Sequence, residues 1–349
     1  MGSSIEPSNP KNEAPDKPLV SVVIPVYNGQ RYLRQTIDSV LAQTYPAIEV
    51  IVVNDGSTDD SAEIIASYGS RLVAINQDNQ GVSLARNAGI SKAKGRFIAL
   101  LDHDDWWLPE KIEKQVAVFL ADEGIDLVHT GAKFYDEATS SFRPPLNPDE
   151  KRKRLFGHCY EYLLQDNVIV SSSVVVRSSV LEYAGYYNPQ MRNNTCQDYD
   201  LWLRLAKHGR FGYVPERLTV FRVHTRQGMR SWAQVLTDEA KLLERTVIAE
   251  GLTRCPNATR RMARLYDQLG TTYMDAGRRR PARQNFMRSL RWRLTARAAL
   301  LWTACLLPHS TIRTLQRVRA RMRRPTDNDP LPPWQETRTG DNPAETPEK

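Results

Sequence analysis

The residues best suited to chemistry stand in "LLDHDDWW", Leu100 to Trp107. Asp102, Asp104 and Asp105 place three carboxylates within four positions, and such groups repel one another unless something cationic is near. Closely spaced carboxylates suit a hard divalent cation such as Mg²⁺ or Mn²⁺, which takes oxygen ligands and leaves positions open for water and substrate phosphates. The same residues also suit a turn in which Asp104 and Asp105 cap the helix expected from Pro109. Residue type alone leaves both readings open. No GxGxxG follows the first strand and no GxxxxGK[ST] occurs, so dinucleotide and P-loop sites are disfavoured.

The elements that must position these acids follow from periodicity. "PLVSVVIPVY" is an apolar, β-branched run ended by Asn28-Gly29, hence a buried strand and a turn. "RYLRQTIDSVLAQ" sets Tyr32, Leu33, Ile37, Val40 and Leu41 on one helical face. "IEVIVVND" is a second buried strand, "GSTDDSAEIIASYG" a turn and helix, and "RLVAINQ" a short strand. "GVSLARNAGISKAKG" is a helix closed by Gly95, "RFIALLD" a strand, "PEKIEKQVAVFL" a helix with Pro109 in its first turn, and "IDLVHTG" a strand. This alternation predicts an α/β fold with a mostly parallel sheet flanked by helices. Ligands of such sheets lie beyond the carboxyl ends of the strands, where Tyr27-Asn28, Asn54-Asp55 and Asp102 to Asp105 all fall. Beyond about residue 140 a loop is expected over "SSFRPPLNPDEKRKR", a strand over "VIVSSSVVVRSS" and an amphipathic helix over "QDYDLWLRLAKHG". An extended run broken by Pro215 and a helical stretch over 230–325 follow.

Five segments, "VSVVIPVYN", "EVIVVNDGSTDDS", "GVSLARNAGI", "ALLDHDDWW" and "QDYDLWLRL", resemble in order and spacing the motifs of family 2 glycosyltransferases with the GT-A fold, over roughly residues 18–225. The resemblance implies that Pro25, Tyr27, Asn28 and Asp55 hold the nucleotide of a sugar donor. A carboxylate accepting from a base N–H and an aromatic stacked on the base would suit uridine. Turn formation at Asn28-Gly29 and Asp55-Gly56 is compatible with that role. Arg86 of "ARN" is implied near the donor; a helix-surface cation is the alternative. "DHD" matches the metal element, with Asp104 the firmest ligand to Mg²⁺ or Mn²⁺ on the diphosphate and Asp102 on the ribose or the metal. His103 takes no role, and Trp106 and Trp107 either wall the sugar pocket or belong to the core. Asp198 matches the base of an inverting transfer, taking the acceptor hydroxyl's proton; on residue type alone an N-cap is the simpler reading. Gln197 stands where that family often has glutamate. Asp200 points to a different helix face. Arg222 and His224 of "FRVHTRQGM" resemble the basic closing segment that meets diphosphate or metal, with a solvated strand end as the alternative.

The implied function is inverting transfer from a nucleotide-sugar, a UDP-sugar, to a hydroxyl of a cell-surface glycan or lipid-linked acceptor. Two other readings are a sugar nucleotidyltransferase, whose glycine-rich activating loop is not seen, and a non-catalytic membrane-attached scaffold, motivated by Gln197 and the basic tail.

Bulk composition divides the chain. Its 349 residues carry a net charge of +8, unevenly placed. Residues 1–225 hold 24 Lys/Arg against 28 Asp/Glu, residues 226–325 hold 22 against 6, and residues 326–349 hold 2 against 6. The expected organisation is a leader over 1–17, a catalytic domain over 18–225, a basic helical extension over 226–325 and an acidic, proline-rich tail over 326–349. The apolar stretch Ala298 to Leu307 is shorter than the roughly 20 residues of a spanning helix. Ten arginines lie between Arg288 and Arg324. Apolar leucine and tryptophan beside dense arginine suit an anionic membrane surface; a solvated helical subdomain is the alternative, and nucleic acid is not expected as a partner. Four scattered cysteines show no metal or disulfide pattern. That and the absence of an apolar leader predict the cytoplasm, with peripheral attachment at the inner face of the plasma membrane.

Overall fold

A computed structural model describes residues 17–143, 155–191, 196–224 and 231–306. β1 (Val20–Val26) is buried at every position, as its unbroken apolar run requires. It pairs in parallel along its length with β2 (Ile48–Asp55). On its other side β4 (Phe97–Leu100) pairs only with Val20 to Val23. Pro25 sits where that second partner has already ended, so its missing N–H breaks no ladder. β3 (Val73–Gln77) pairs outside β2. α1 (Leu33–Leu41), α2 (Ser61–Ala66) and α3 (Val82–Lys92) supply the crossovers. α3 lies so close to the sheet that a Cβ at Gly89 would stand 2.4 Å from Val23 Cγ1.

The parallel expectation holds for β3-β2-β1-β4, and the sheet then becomes mixed. It has nine strands, ordered β3-β2-β1-β4-β8-β6-β9-β5, with β7 paired to β6. The second half comprises β5 (Trp106–Trp107), β6 (Leu127–Asp136), β7 (Ser141–Arg143), β8 (Val175–Arg177) and β9 (Phe211–Val223). α4 (Lys111–Ala121) begins two residues after Pro109.

The structure corrects two local expectations. Of "VIVSSSVVVRSS", only Val175–Arg177 is strand; Ser171–Ser173 forms a 3-10 turn and α6 (Ser178–Ala184) begins at once, after the short α5 (Tyr160–Leu163) earlier in the chain. The run around Pro215 is one strand, because its register against β6 shifts at Gly131 and leaves Pro215 and Glu216 outside the ladder.

α7 (Gln197–Ala206) is followed by α8 (Trp232–Ala249), α9 (Pro256–Asp275), α10 (Arg279–Trp292) and α11 (Ala296–Ala304). α8 and α9 are not a detached appendage. Leu236, Leu243 and Val247 of α8 and Met262, Leu265 and Leu269 of α9 belong to the same buried cluster as Val23, Leu100 and Trp202. Arg261 of α9, 8% exposed, pairs with the buried Glu239 of α8 and, at 3.6 Å, with Asp166. α10 and α11 close a smaller cluster around Phe286 and Cys305. The four cysteines are free. Residues 1–16, the arginines beyond Leu306 and the acidic tail lie outside the described residues.

Lys111 is fully buried, with Nζ 2.7 Å from Gln115 Oε1 and 3.9 Å from the Trp107 ring centroid. Burial without a carboxylate holds its pKa well below 10.5. Between that lowered pKa and the pKa of the unfolded lysine, the unfolded chain binds more protons than the folded one. As pH rises towards the unfolded lysine's pKa of about 10.4, the native protein therefore gains stability with pH more steeply than Lys111→Met, by up to about 1.4 kcal/mol per pH unit; parallel curves in denaturant titrations would contradict this.

Candidate active site

The acidic loop after β4 is held from three sides. Asp105 N–H donates to Asp102 O at 3.1 Å and closes the turn. Asp105 itself is 1% exposed; it accepts from Ser172 Oγ at 2.5 Å and from Arg222 N–H at 2.9 Å. Burial, then the neighbouring Asp104 and Asp102, push its pKa well above the usual carboxylate range. Ser172 Oγ also accepts the Asp102 N–H at 3.1 Å, and Ser172 O accepts from Trp107 Nε1 at 2.7 Å. From α1, Thr36 Oγ1 lies 2.8 Å from the His103 carbonyl and 2.7 Å from the Asp105 carbonyl. None of this is helix capping: the cap position of α4 is Glu110, without a side-chain cap bond. Trp107 is core, 3% exposed, and Trp106 packs on Tyr135 with centroids 5.5 Å apart. His103 is more than a spacer, since a Cβ at Gly29 would stand 2.5 Å from its ring.

Asp104 Oδ2 lies 3.0 Å from His224 Nε2. Burial would raise the Asp104 pKa, but the His224 hydrogen bond and the nearby His103 outweigh it, and it falls below the usual range. His224 Nδ1 is buried without a hydrogen-bond partner. Arg222 is tied into the same loop. It is 6% exposed, its Nε donates to Asp104 O at 2.9 Å and its Nη2 to Gln35 Oε1 at 2.5 Å. Its guanidinium lies 4.5 Å from the Tyr32 centroid and 4.6 Å from that of Trp106. Stacked between rings and bonded to the loop backbone, it props the acidic loop from beneath.

A second cluster forms around Asp198, in the first turn of α7. The cap residue is Cys196, with no side-chain cap bond, so Asp198 is not the cap. Its Oδ1 lies 2.7 Å from the Tyr199 N–H. Burial, reinforced by Asp102 and opposed by Arg86, moves its pKa up to about 6. Arg86 is no surface cation: it is 3% exposed and its Nη2 donates to Asp102 Oδ1 at 2.5 Å. Its Nε and Nη1 are buried without partners. Burial works against its charge, but Asp102 more than compensates, and its pKa is raised. Asp200 is committed elsewhere, to Arg204 at 2.9 Å and Arg245 at 3.4 Å. Gln197 Oε1 is buried and unpartnered.

The expected nucleotide residues line the rim of β1 and β2. Tyr27 is 48% exposed. Asn28 adopts φ +52° and its Oδ1 accepts the Thr58 N–H at 2.8 Å, tying the two strand ends together. Asp55, 3% exposed, is turned inward: it accepts from Gln77 Nε2 at 2.7 Å, Gln80 N–H at 2.9 Å and Gly81 N–H at 2.8 Å. It anchors the approach to α3 with these bonds.

The donor set fits a hard divalent ion in one respect. Asp102 and Asp104 offer oxygens on one loop, and one or two carboxylates suffice when phosphate oxygens supply the rest. Among the described residues, no group of three or more His, Cys, Asp and Glu is gathered to hold a metal.

Sequence reasoning missed Ser172, Tyr187 and the purpose of Asn87. Three consecutive serines inside a β-branched run were the available signal for the first. Ser172→Ala removes one donor to the buried Asp105 and one acceptor for the loop. Its unfolding free energy is expected to drop by about 1–3 kcal/mol in chemical denaturation; an unchanged midpoint would rule out this support.

Residues 21–184 match the family model described as Glycosyl transferase family 2. An uncharacterized glycosyltransferase of Rickettsia prowazekii is 34% identical over 211 residues, covering 60% of this chain and 65% of that protein. The chain thus spans slightly less than two thirds of that relative. A putative teichuronic acid biosynthesis glycosyltransferase, TuaG of Bacillus subtilis, is 33% identical over 213 residues, covering 59% of this chain and 80% of that protein. Among solved structures, residues 1–349 of S. aureus TarS superpose with a TM-score of 0.58 at 16% identity, covering 85% of this chain and 92% of that one. The mannosyltransferase PcManGT of Pyrobaculum calidifontis, in complex with GDP-Man and Mn²⁺, gives 0.54 at 18% identity, covering 88% and 85%. At these identities the structural likeness concerns the fold. The sequence matches and the arrangement of the five motifs agree, and the chain belongs to the family 2 glycosyltransferases, with the GT-A fold.

Proposed function

We propose that this protein transfers a sugar, with inversion, from a nucleoside-diphosphate donor, a UDP-sugar, to a hydroxyl of a cell-surface glycan or glycolipid. The observation that carries this is the Asp198 carboxylate, held at a pKa of about 6 beside Arg86 and Asp102. A base with that pKa is ionised at neutral pH yet takes a proton more readily than an ordinary carboxylate. Asp198 accepts the acceptor hydroxyl's proton as its oxygen attacks the anomeric carbon. Arg86 offers its two unpartnered nitrogens, Nε and Nη1, to donor oxygens. Pro25, Tyr27, Asn28 and Asp55 form the nucleotide rim, and His224 holds Asp104 in place for ligation. Bound through Asp104 and Asp102, Mg²⁺ or Mn²⁺ would balance the charge of the departing diphosphate. A TarS structure in complex with UDP-GlcNAc and the PcManGT complex support a nucleotide-sugar donor, and the latter supports a divalent ion.

The helical extension supports a membrane-proximal acceptor. From Ala276 to Leu306 there are eight arginines and no Asp or Glu. Leu294, Leu300 and Leu306 are 86%, 69% and 55% exposed on α11 and its flanks. Leucines projecting among arginines suit the headgroup region of an anionic bilayer. No helix of the described residues is long and apolar enough to cross a membrane.

Asp198→Asn is expected to keep UDP-sugar binding and lose at least about 100-fold in kcat, in line with general-base catalysis. In the native enzyme kcat/KM should fall with protonation of Asp198 as pH drops through about 6. The same titration calorimetry in EDTA should weaken UDP binding. Undiminished turnover by Asp198→Asn defeats the base assignment, and EDTA-insensitive binding defeats the metal one.

Paired substitution of Leu294 and Leu300 by serine should reduce recovery on floated vesicles of 30% phosphatidylserine at least about threefold, with none recovered on neutral vesicles. Equal recovery of the variant would exclude this surface.

A further inference from the structure

The segment Ala184 to Tyr187 is fastened at both ends by side chains from different helices. From α7, Arg204 donates to Ala184 O at 2.6 Å, Gly185 O at 2.9 Å and Tyr186 O at 2.8 Å. Arg204 is itself held by Asp200 on the same helix, at 3.0 Å from Nε. From α3, Asn87 brackets the Tyr187 backbone: its Oδ1 accepts the Tyr187 N–H at 2.9 Å and its Nδ2 donates to Tyr187 O at 2.8 Å. Gly185 makes the turn at φ +80°, a region that side chains adopt at a cost. Five hydrogen bonds onto four consecutive residues leave the segment little freedom.

That rigidity fixes one side chain. The Tyr187 ring is 1% exposed, and the Arg86 guanidinium carbon lies 5.0 Å from its centroid. Arg86 spends only Nη2 on Asp102 and keeps Nε and Nη1 buried and unpartnered. A guanidinium with two idle donors in a buried place needs something to set its plane. An aromatic face does this without consuming an N–H. Carbonyl partners would have spent the donors.

We propose that Tyr187 is a positioning residue: its ring orients Arg86 so that Nε and Nη1 stay presented to the donor, and the doubly clamped 184–187 segment keeps that orientation in register with the helix bearing Asp198. The inference rests on the reading of Arg86 as a donor contact and adds a group that sets it. The ring is the working part; the hydroxyl, buried and without a hydrogen-bond partner, is not required.

A double-mutant cycle in the full chain tests this, with UDP as the probe by calorimetry. Tyr187→Phe should bind within about twofold of wild type, and Tyr187→Leu about tenfold more weakly. In an Arg86→Ala background, the Leu substitution should add less than about twofold. An equal loss in both backgrounds overturns the proposal, as does a Phe variant as weak as the Leu variant. If Arg86→Ala alone binds UDP like wild type, the donor role of Arg86 falls instead. The same cycle read in unfolding midpoints then decides on the ring contact: coupled midpoints support it and additive midpoints overturn it.

Discussion

Three carboxylates can share four positions only if most of their charge is met by something fixed. Asp105 carries that constraint. It is buried against its like-charged neighbours and is held by a serine hydroxyl and a backbone N–H from β9. Those two bonds join the loop to the 3-10 turn at Ser171–Ser173 and to the strand that delivers Arg222 and His224. Arg222 completes the arrangement from below, spending its donors on the Asp104 carbonyl and Gln35 and lying between two rings. With Asp105 and Arg222 holding the loop, Asp102 and Asp104 are the carboxylates left to pair with Arg86 and His224.

The same economy appears around Asp198. Of the two aspartates in the first turn of α7, Asp200 is consumed by Arg204 and Arg245. Among the described residues, Asp198 has its neighbouring N–H and the more distant Arg86. The helical extension takes part in this division, because Arg245 belongs to α8. Its apolar face shares a core with Trp202 of α7. Burying that face steadies the helix that carries Asp198, so α8 and α9 support the candidate site.

The front of the molecule was legible because its signals are local. An unbroken apolar strand, an Asn-Gly or Asp-Gly turn and an amphipathic helix each announce themselves within ten residues. The acid cluster was legible as a cluster, yet its internal division was not. Nothing in "DHDD" says that the fourth residue is buried, since that depends on Ser172, which lies 67 positions further on. The surroundings of Arg222 were hidden for a related reason: only tertiary structure reveals the rings of Tyr32 and Trp106 beside it. The break expected at Pro215 failed because a bulge absorbed it. The helix from Ser178 was hidden by valines whose strand preference is satisfied in three residues.

Charge balance carries the reasoning one step further. Among the described residues around the proposed donor site, the acids outnumber the bases that remain uncommitted. Arg222 is stacked and bonded, and Arg86 already offsets Asp102. A nucleoside diphosphate brings still more negative charge to the same rim, into a setting partly shielded from water, where repulsion is stronger than in bulk solvent. Arg86 has two nitrogens to give but only one positive charge, and that charge is shared. Among the described residues, the cations near the site therefore fall short of what such a donor needs. This shortfall supports recruitment of a divalent ion more directly than the spacing of Asp102 and Asp104 does. It also explains why orienting Arg86 matters: where positive charge is scarce, the direction in which it is presented decides how much of it the donor receives.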